Sequence, residues 1–212
     1  YQITSINPTT HYFDVTIQID KPNPNGQSLR LPNWIPGSYM IRDFSRNIID
    51  LSAQSNGVEV QISQQDKSNW TVEGVTDSLI IDYKVYAKDL SVRGAHLDHS
   101  HGYYNGSSVF LEVLGQSGSP CQVLIQKPPA EQYKNWQVAT SLPFKGESRF
   151  EFGLFEAQDY DDLIDHPVEM GEFGCISFEA CGVPHDVILT GRYQCDDVRL
   201  KRDLTKICEH HI

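Results

Sequence analysis

The chain reads as a mostly β protein, an antiparallel β-sandwich or saddle-shaped β-domain, with helix entering only near its end. Three features point there. Apolar residues alternate with period two in Phe13, Val15, Ile17 and Ile19 and again in Leu79, Ile81, Tyr83 and Val85, the spacing of strands with one buried face. Turn chemistry interrupts the short apolar runs, at Asn56-Gly57, Pro128-Pro129 and Leu142-Pro143. A helical stripe forms only from Leu200, Leu204, Ile207, Cys208 and His211.

In chain order, the first strand covers 13–19. Residues 31–47 follow as a non-helical segment, because Pro32 and Pro36 fix φ and remove donors on either side of Trp34-Ile35, while Gly37 permits a turn. Trp34 is expected to be a core anchor between the two proline bends, since a buried indole contributes large apolar area. Residues 48–52 and 58–62 form a hairpin about Asn56-Gly57, where both residues tolerate positive φ. Further strands are expected over 79–85, 109–113, 122–126, 149–155 and 187–189. The carboxylate of Asp196 or Asp197 caps the closing helix. That helix reaches the last residue without a glycine or other stop signal, which reads as a chain cut before the helix cap.

With 212 residues, 39% hydrophobic and 21% charged, the chain has the composition of a globular protein rather than a disordered one. A net charge of −11 argues against nucleic acid or an anionic membrane as partner. The five cysteines, Cys121, Cys175, Cys181, Cys195 and Cys208, form no Cys-x-x-Cys pair, and their odd number leaves at least one unpaired. Together with the lack of a signal peptide or an apolar span, they point to reduced thiols and a cytoplasmic protein, with a periplasmic one as the alternative because the chain starts at Tyr1 without Met.

Four stretches, in order, carry a family resemblance: Leu31-Pro-Asn-Trp-Ile-Pro-Gly-Ser-Tyr39-Met-Ile-Arg42-Asp-Phe-Ser-Arg-Asn47; Ser78-Leu-Ile-Ile-Asp-Tyr-Lys-Val-Tyr86-Ala-Lys-Asp-Leu90-Ser-Val-Arg93; Gly102-Tyr-Tyr-Asn-Gly106-Ser-Ser-Val-Phe-Leu111; and Asp159-Tyr-Asp-Asp-Leu-Ile-Asp165-His-Pro-Val-Glu169-Met-Gly171. Together they resemble the N-terminal domain of the glycyl aminopeptidases, zinc metallopeptidases related in fold to thermolysin. The resemblance implies an N-terminal β-domain over 1–165, then linker strands and the first helix of a thermolysin-like catalytic domain over 166–212. It implies removal of N-terminal glycine or alanine from peptides, with the catalytic domain as this segment's partner and zinc held in that domain. The zinc signature, His-Glu-x-x-His on a helix, is absent from the sequence. His166-Pro-Val-Glu169 does not replace it, because Pro167 disfavours helix at His166. The chain by itself is therefore expected to be inactive, a scaffold that narrows access to the site.

Candidate sites stand against plainer readings. In related aminopeptidases the β-domain closes the pocket around the substrate's amino terminus, which makes Tyr104 and Asn105, beside Tyr103, the candidate substrate-binding residues: a hydroxyl and an amide oxygen are neutral acceptors for an ammonium. The plainer reading is a structural turn. His96, Asp98, His99 and His101 have metal-like composition but read first as a solvated loop. Trp34, Tyr39, Arg42 and Asp43 can face an interdomain surface, with Arg42 pairing to Asp43 or across the interface. Glu169 reads as structural, and Asp159, Asp161, Asp162 and Asp165 as a solvated linker. The rival functional class is a carbohydrate-binding β-sandwich with Trp70, Trp136 or Tyr103 as stacking platforms, followed by a small metal-binding protein built on the histidine cluster.

Overall fold

The computed structural model describes residues 1–35 and 37–211, so the expectations placed on Pro36 and on the helix reaching the last residue, Ile212, lie outside the described residues. In chain order the strands are β1 (Gln2–Thr4), β2 (Tyr12–Asp20), β3 (Gln27–Arg30), β4 (Ile48–Ser55), β5 (Val58–Glu59), β6 (Ile62–Gln64), β7 (Asn69–Val72), β8 (Ser78–Tyr86) and β9 (Ala95–Leu97). They continue with β10 (His101–Tyr104), β11 (Glu112–Val113), β12 (Cys121–Ile125), β13 (Gln137–Ala139), β14 (Gly153–Ala157), β15 (Val168–Gly171), β16 (Phe173–Ala180) and β17 (Val183–Thr190). Helix α1 (Tyr160–Ile164) precedes β15, and α2 (Asp197–His211) follows β17.

The mostly β expectation holds, and the strands assort into four sheets. A seven-stranded sheet runs β14-β12-β1-β2-β8-β4-β5, with β1 and β12 parallel and the other pairs antiparallel. Two four-stranded antiparallel sheets, β13-β15-β10-β9 and β11-β3-β7-β6, lie against it around one core. The alternating residues of β2 and β8 are all buried in that core, because the nine-residue register between the strands puts both apolar sets on one face. At the β4–β5 hairpin Asn56 and Gly57 both adopt positive φ, 48° and 76°, as their side chains permit.

Three expected strands are shorter than the sequence suggests; of 58–62 only Val58–Glu59 pairs in the hairpin, and Ile62 opens β6 in another sheet. Within 109–113 only Glu112 and Val113 join a ladder. The backbone before them is held by tyrosine hydroxyls: Tyr83 Oη donates to Val109 O at 2.8 Å and accepts from Leu111 N at 3.1 Å, and Tyr160 Oη donates to Phe110 O at 2.7 Å. These side chains replace the ladder bonds that a buried backbone requires. Within 149–155 the left-handed φ of Phe150 (67°) bends the chain, and extension starts only at Gly153.

Strand β15 lies inside the second sheet, between β13 and β10, with Val168 and Met170 in the core. Beyond it, β16 and β17 pair only with each other, and α2 packs on β16. The Asp196 carboxylate accepts from Arg199 N and caps α2. Leu200, Leu204 and Cys208 are half-buried, whereas Ile207 and His211 are exposed, so the expected stripe is only partly covered. No described helix is long and apolar enough to cross a membrane. All five cysteines are free.

Candidate functional site

Residues 31–35 and 37–43 belong to a loop closed at its neck and apolar at its tip. Leu31 is buried and donates its N–H to Ser68 O, while Arg42 N donates to Asn33 O at 2.7 Å across the neck. Ser38 is buried; its N–H donates to Ile35 O, and the Arg42 guanidinium donates to its hydroxyl. Asp43 is paired with Lys67 rather than with Arg42. Outside this frame Trp34 is 54% exposed, Tyr39 104%, Met40 62% and Ile41 66%. Trp34 is therefore not the core anchor expected of it: Leu31 and Ile35 already fill the core at this end, and the closed neck turns the indole outward. A tied loop that presents four large apolar side chains to solvent is unusual for a surface without a partner. Part of this was readable, since three consecutive apolar residues, 39–41, cannot all face one core.

A polar sheet face lies elsewhere, on β13-β15-β10-β9. Tyr103 pairs across the ladder with His96 on one side and Glu169 on the other, and His101 precedes it by two residues on the same face. The opposite face packs inward. A Cβ on Gly102 would meet Leu97 Cδ1 at 3.0 Å and Met170 Cε at 3.1 Å, so those side-chain ends would have to give way to any larger residue. Tyr103 Oη donates to Val92 O, and Glu169 accepts from the Thr190 hydroxyl of β17 at 2.7 Å. Burial, opposed by that hydrogen bond, pushes the Glu169 carboxyl up to about 7. Burial, and then the Glu169 charge, raise the Tyr103 phenol. Glu169 thus joins the second sheet to the β16–β17 hairpin.

The ammonium-acceptor geometry expected of Tyr104 and Asn105 is not what the fold builds around them. Tyr104 is 1% exposed, wedged edge-on against Phe13 and Phe110, and its hydroxyl has no partner. Burial raises its phenol far above the usual range. Asn105 is half-buried, and its amide oxygen accepts from the N–H and hydroxyl of Ser107, capping the 3-10 turn Gly106–Ser108. That turn sits under α1, where a Cβ on Gly106 would meet Ile164 Cα at 2.8 Å.

Other candidates have local partners. Asp159 caps α1 through Asp162 N, Asp162 accepts from Gln158 N in return, and its other oxygen faces His166 Nε2 at 3.2 Å. His166 also bonds the Ser141 hydroxyl. The backbone bond from Gln158, and then His166, hold the Asp162 carboxyl low. Trp70 and Trp136 are buried, which removes both as carbohydrate platforms. His96, Asp98 and His101 do converge, on the β9–β10 hairpin, whereas His99 is exposed at its tip.

The Peptidase M61 N-terminal domain family matches residues 1–172. The crystal structure of an aminopeptidase N family protein from Idiomarina loihiensis aligns over 98% of the chain with 42% identity and a TM-score of 0.93. The chain spans 35% of that protein's length. An M1 zinc metallopeptidase from Deinococcus radiodurans is 16% identical over 84% of this chain and 42% of its own, at a TM-score of 0.44. Yeast LTA4 hydrolase in complex with bestatin is 14% identical over 82% of this chain and 28% of its own, at 0.43. Similarities of that size carry no argument about activity. No curated protein matches the sequence. On the family match and the 42% identical structure, this chain belongs to the Peptidase M61 N-terminal domain family.

Proposed function

We propose that the chain is the scaffold and substrate-access domain of a zinc-dependent aminopeptidase that removes N-terminal glycine or alanine, and that it works by docking on a catalytic domain. The observation that carries the reading is the tied loop with Trp34, Tyr39, Met40 and Ile41 exposed, in a chain that spans about a third of its 42% identical relative. An exposed apolar cluster on a hydrogen-bonded frame is organised before binding, which lowers the ordering cost of an interface. The half-covered face of α2 supports the same reading. The boundary between the two units is best drawn after Gly171, since β15 belongs to the second sheet.

The catalytic zinc does not fit this chain. His-Glu-x-x-His is missing, and His166 is held by Asp162 and Ser141 after α1 rather than set on a helix face. No hydrolytic step is therefore assigned to these residues. Tyr104 and Asn105 act, in this reading, from behind the surface: one fills the core and the other caps the turn.

The test compares this 212-residue chain with the product of the complete gene on glycyl-, alanyl- and leucyl-p-nitroanilide, with and without a chelator. Chelator-sensitive release of glycine and alanine by the complete product alone is expected. Hydrolysis by the chain itself, or no glycine or alanine release by the complete product, overturns the reading. Replacing Trp34 and Ile41 by Ser should weaken the complete enzyme while leaving the melting temperature of this chain nearly unchanged.

A further inference from the structure

The His96, Asp98 and His101 cluster has no part in the scaffold reading, yet it is built with some care. Asp98 opens the turn between β9 and β10. Its Oδ1 accepts from Ser100 N at 2.7 Å, Ser100 Oγ at 2.6 Å and His101 N at 3.2 Å, which fixes the carboxylate. Its Oδ2 then faces His96 Nε2 at 3.2 Å. Both imidazoles leave the same sheet face, and their rings stack with centroids 4.8 Å apart and planes at 29°. One donor atom from each of the three residues lies within 4.8 Å of the other two.

Among the three groups the His96 Nε2–Asp98 Oδ2 contact is the one hydrogen bond, and other donor atoms are left over. The His96 side chain is 9% exposed, and its Nδ1 has no hydrogen-bond partner. His101 Nδ1 stands 3.8 Å from Asp98 Oδ1, beyond hydrogen-bond range, and bonds the Ser100 hydroxyl instead. A buried polar atom without a partner normally costs about 1–3 kcal/mol and is avoided unless the site has another use.

We propose that His96, Asp98 and His101 bind a divalent transition-metal ion, with zinc as the reference ion. Two imidazoles and one carboxylate are a nitrogen and oxygen donor set suited to zinc, cobalt or nickel, and too small in number for calcium. Bonds of about 2.0–2.2 Å place tetrahedral donors roughly 3.4 Å apart, so donors that lie within 4.8 Å of one another draw together on binding. The fourth position is left for water. Lys88, bridged opposite His96, and Arg46 in the adjoining cleft oppose a cation, with Asp89 beside them in compensation. Lys88 is exposed, and a solvated ammonium weighs less than direct coordination.

The experiment titrates the untagged 212-residue chain with zinc against a chromophoric chelator, and with cobalt while its visible absorption is followed. One equivalent per chain is expected, with the intense visible bands of tetrahedral cobalt. His101→Asn should weaken zinc by at least about tenfold, since even residues behind the ligands typically contribute 10–100-fold, and should abolish the cobalt bands. Asp98→Asn, which keeps the acceptor oxygen of the turn, should do the same with circular dichroism unchanged. His101 is the more accessible histidine, so His101→Asn keeps the test valid if His96 variants fail to fold. Substituting the exposed pair His210 and His211 by Ala should change nothing. The proposal is overturned if zinc does not bind at one equivalent, if binding survives His101→Asn and Asp98→Asn, or if it disappears with the His210 and His211 substitutions.

Discussion

Residues 1–171 and 172–211 carry comparably regular apolar patterns, yet the patterns end in different places. In the first region Ile81, Leu97 and Leu111 are fully buried, because three sheets close over one core. In the second, Phe178 and Ala180 are the only buried residues among those described, and α2 has none. The hairpin β16–β17 has a helix against it and no second sheet. Periodicity thus selects the element, whereas burial needs a second layer to cover its face.

That contrast predicts unequal costs for equal surgery. Ile81→Ala should destabilise the chain by about 2–5 kcal/mol, and Leu204→Ala by less than about 1 kcal/mol, in urea denaturation. Equal losses would mean that α2 is packed as tightly as the sheets. Gly106→Ala sharpens the same point within the first region. Its new Cβ meets backbone of α1, so about 1–3 kcal/mol should be lost, although only one methyl is added.

Glu169 stands where the two regions meet, and its effect depends on pH. Its folded-state pKa of about 7 lies above the ordinary 4.5, so between those values the folded chain holds a proton that the unfolded chain has released. Stability should therefore be highest below pH 4.5 as far as this group is concerned, fall as pH rises through the window, and level off above 7. With the discount for its partial exposure the loss is about 1 kcal/mol. Glu169→Gln should flatten that segment of a stability–pH curve; an unchanged slope would remove Glu169 as its source. The smallest effect is expected at Tyr104→Phe, within about 0.5 kcal/mol of the parent, because the deleted hydroxyl has no partner to lose. A clear loss of stability would reveal one.

The sequence was most readable where local rules and tertiary packing agree. The β2 and β8 alternations, the Asn56-Gly57 turn and the Asp196 cap all behave as their residues require. It was least readable where a side chain's destination depends on what already fills the core. Trp34 has the size and proline frame of an anchor, but Leu31 and Ile35 occupy the space first. Asn105 has the chemistry of a ligand, yet its oxygen is claimed by a turn two residues away. The segment holding His96, Asp98 and His101 read as a loop until the hairpin brought the three side chains together.

From its residues alone the chain determines a β-rich fold, its main strand faces, its turn at Asn56-Gly57 and its family resemblance, because these follow from period, backbone freedom and contiguous motifs. Only the tertiary structure decided that the proline-framed loop turns its aromatic tip outward, that Tyr104 is enclosed, and that two imidazoles meet a carboxylate. Each of those outcomes depends on distances between segments remote in sequence, and no local pattern encodes which side chain reaches a shared space first.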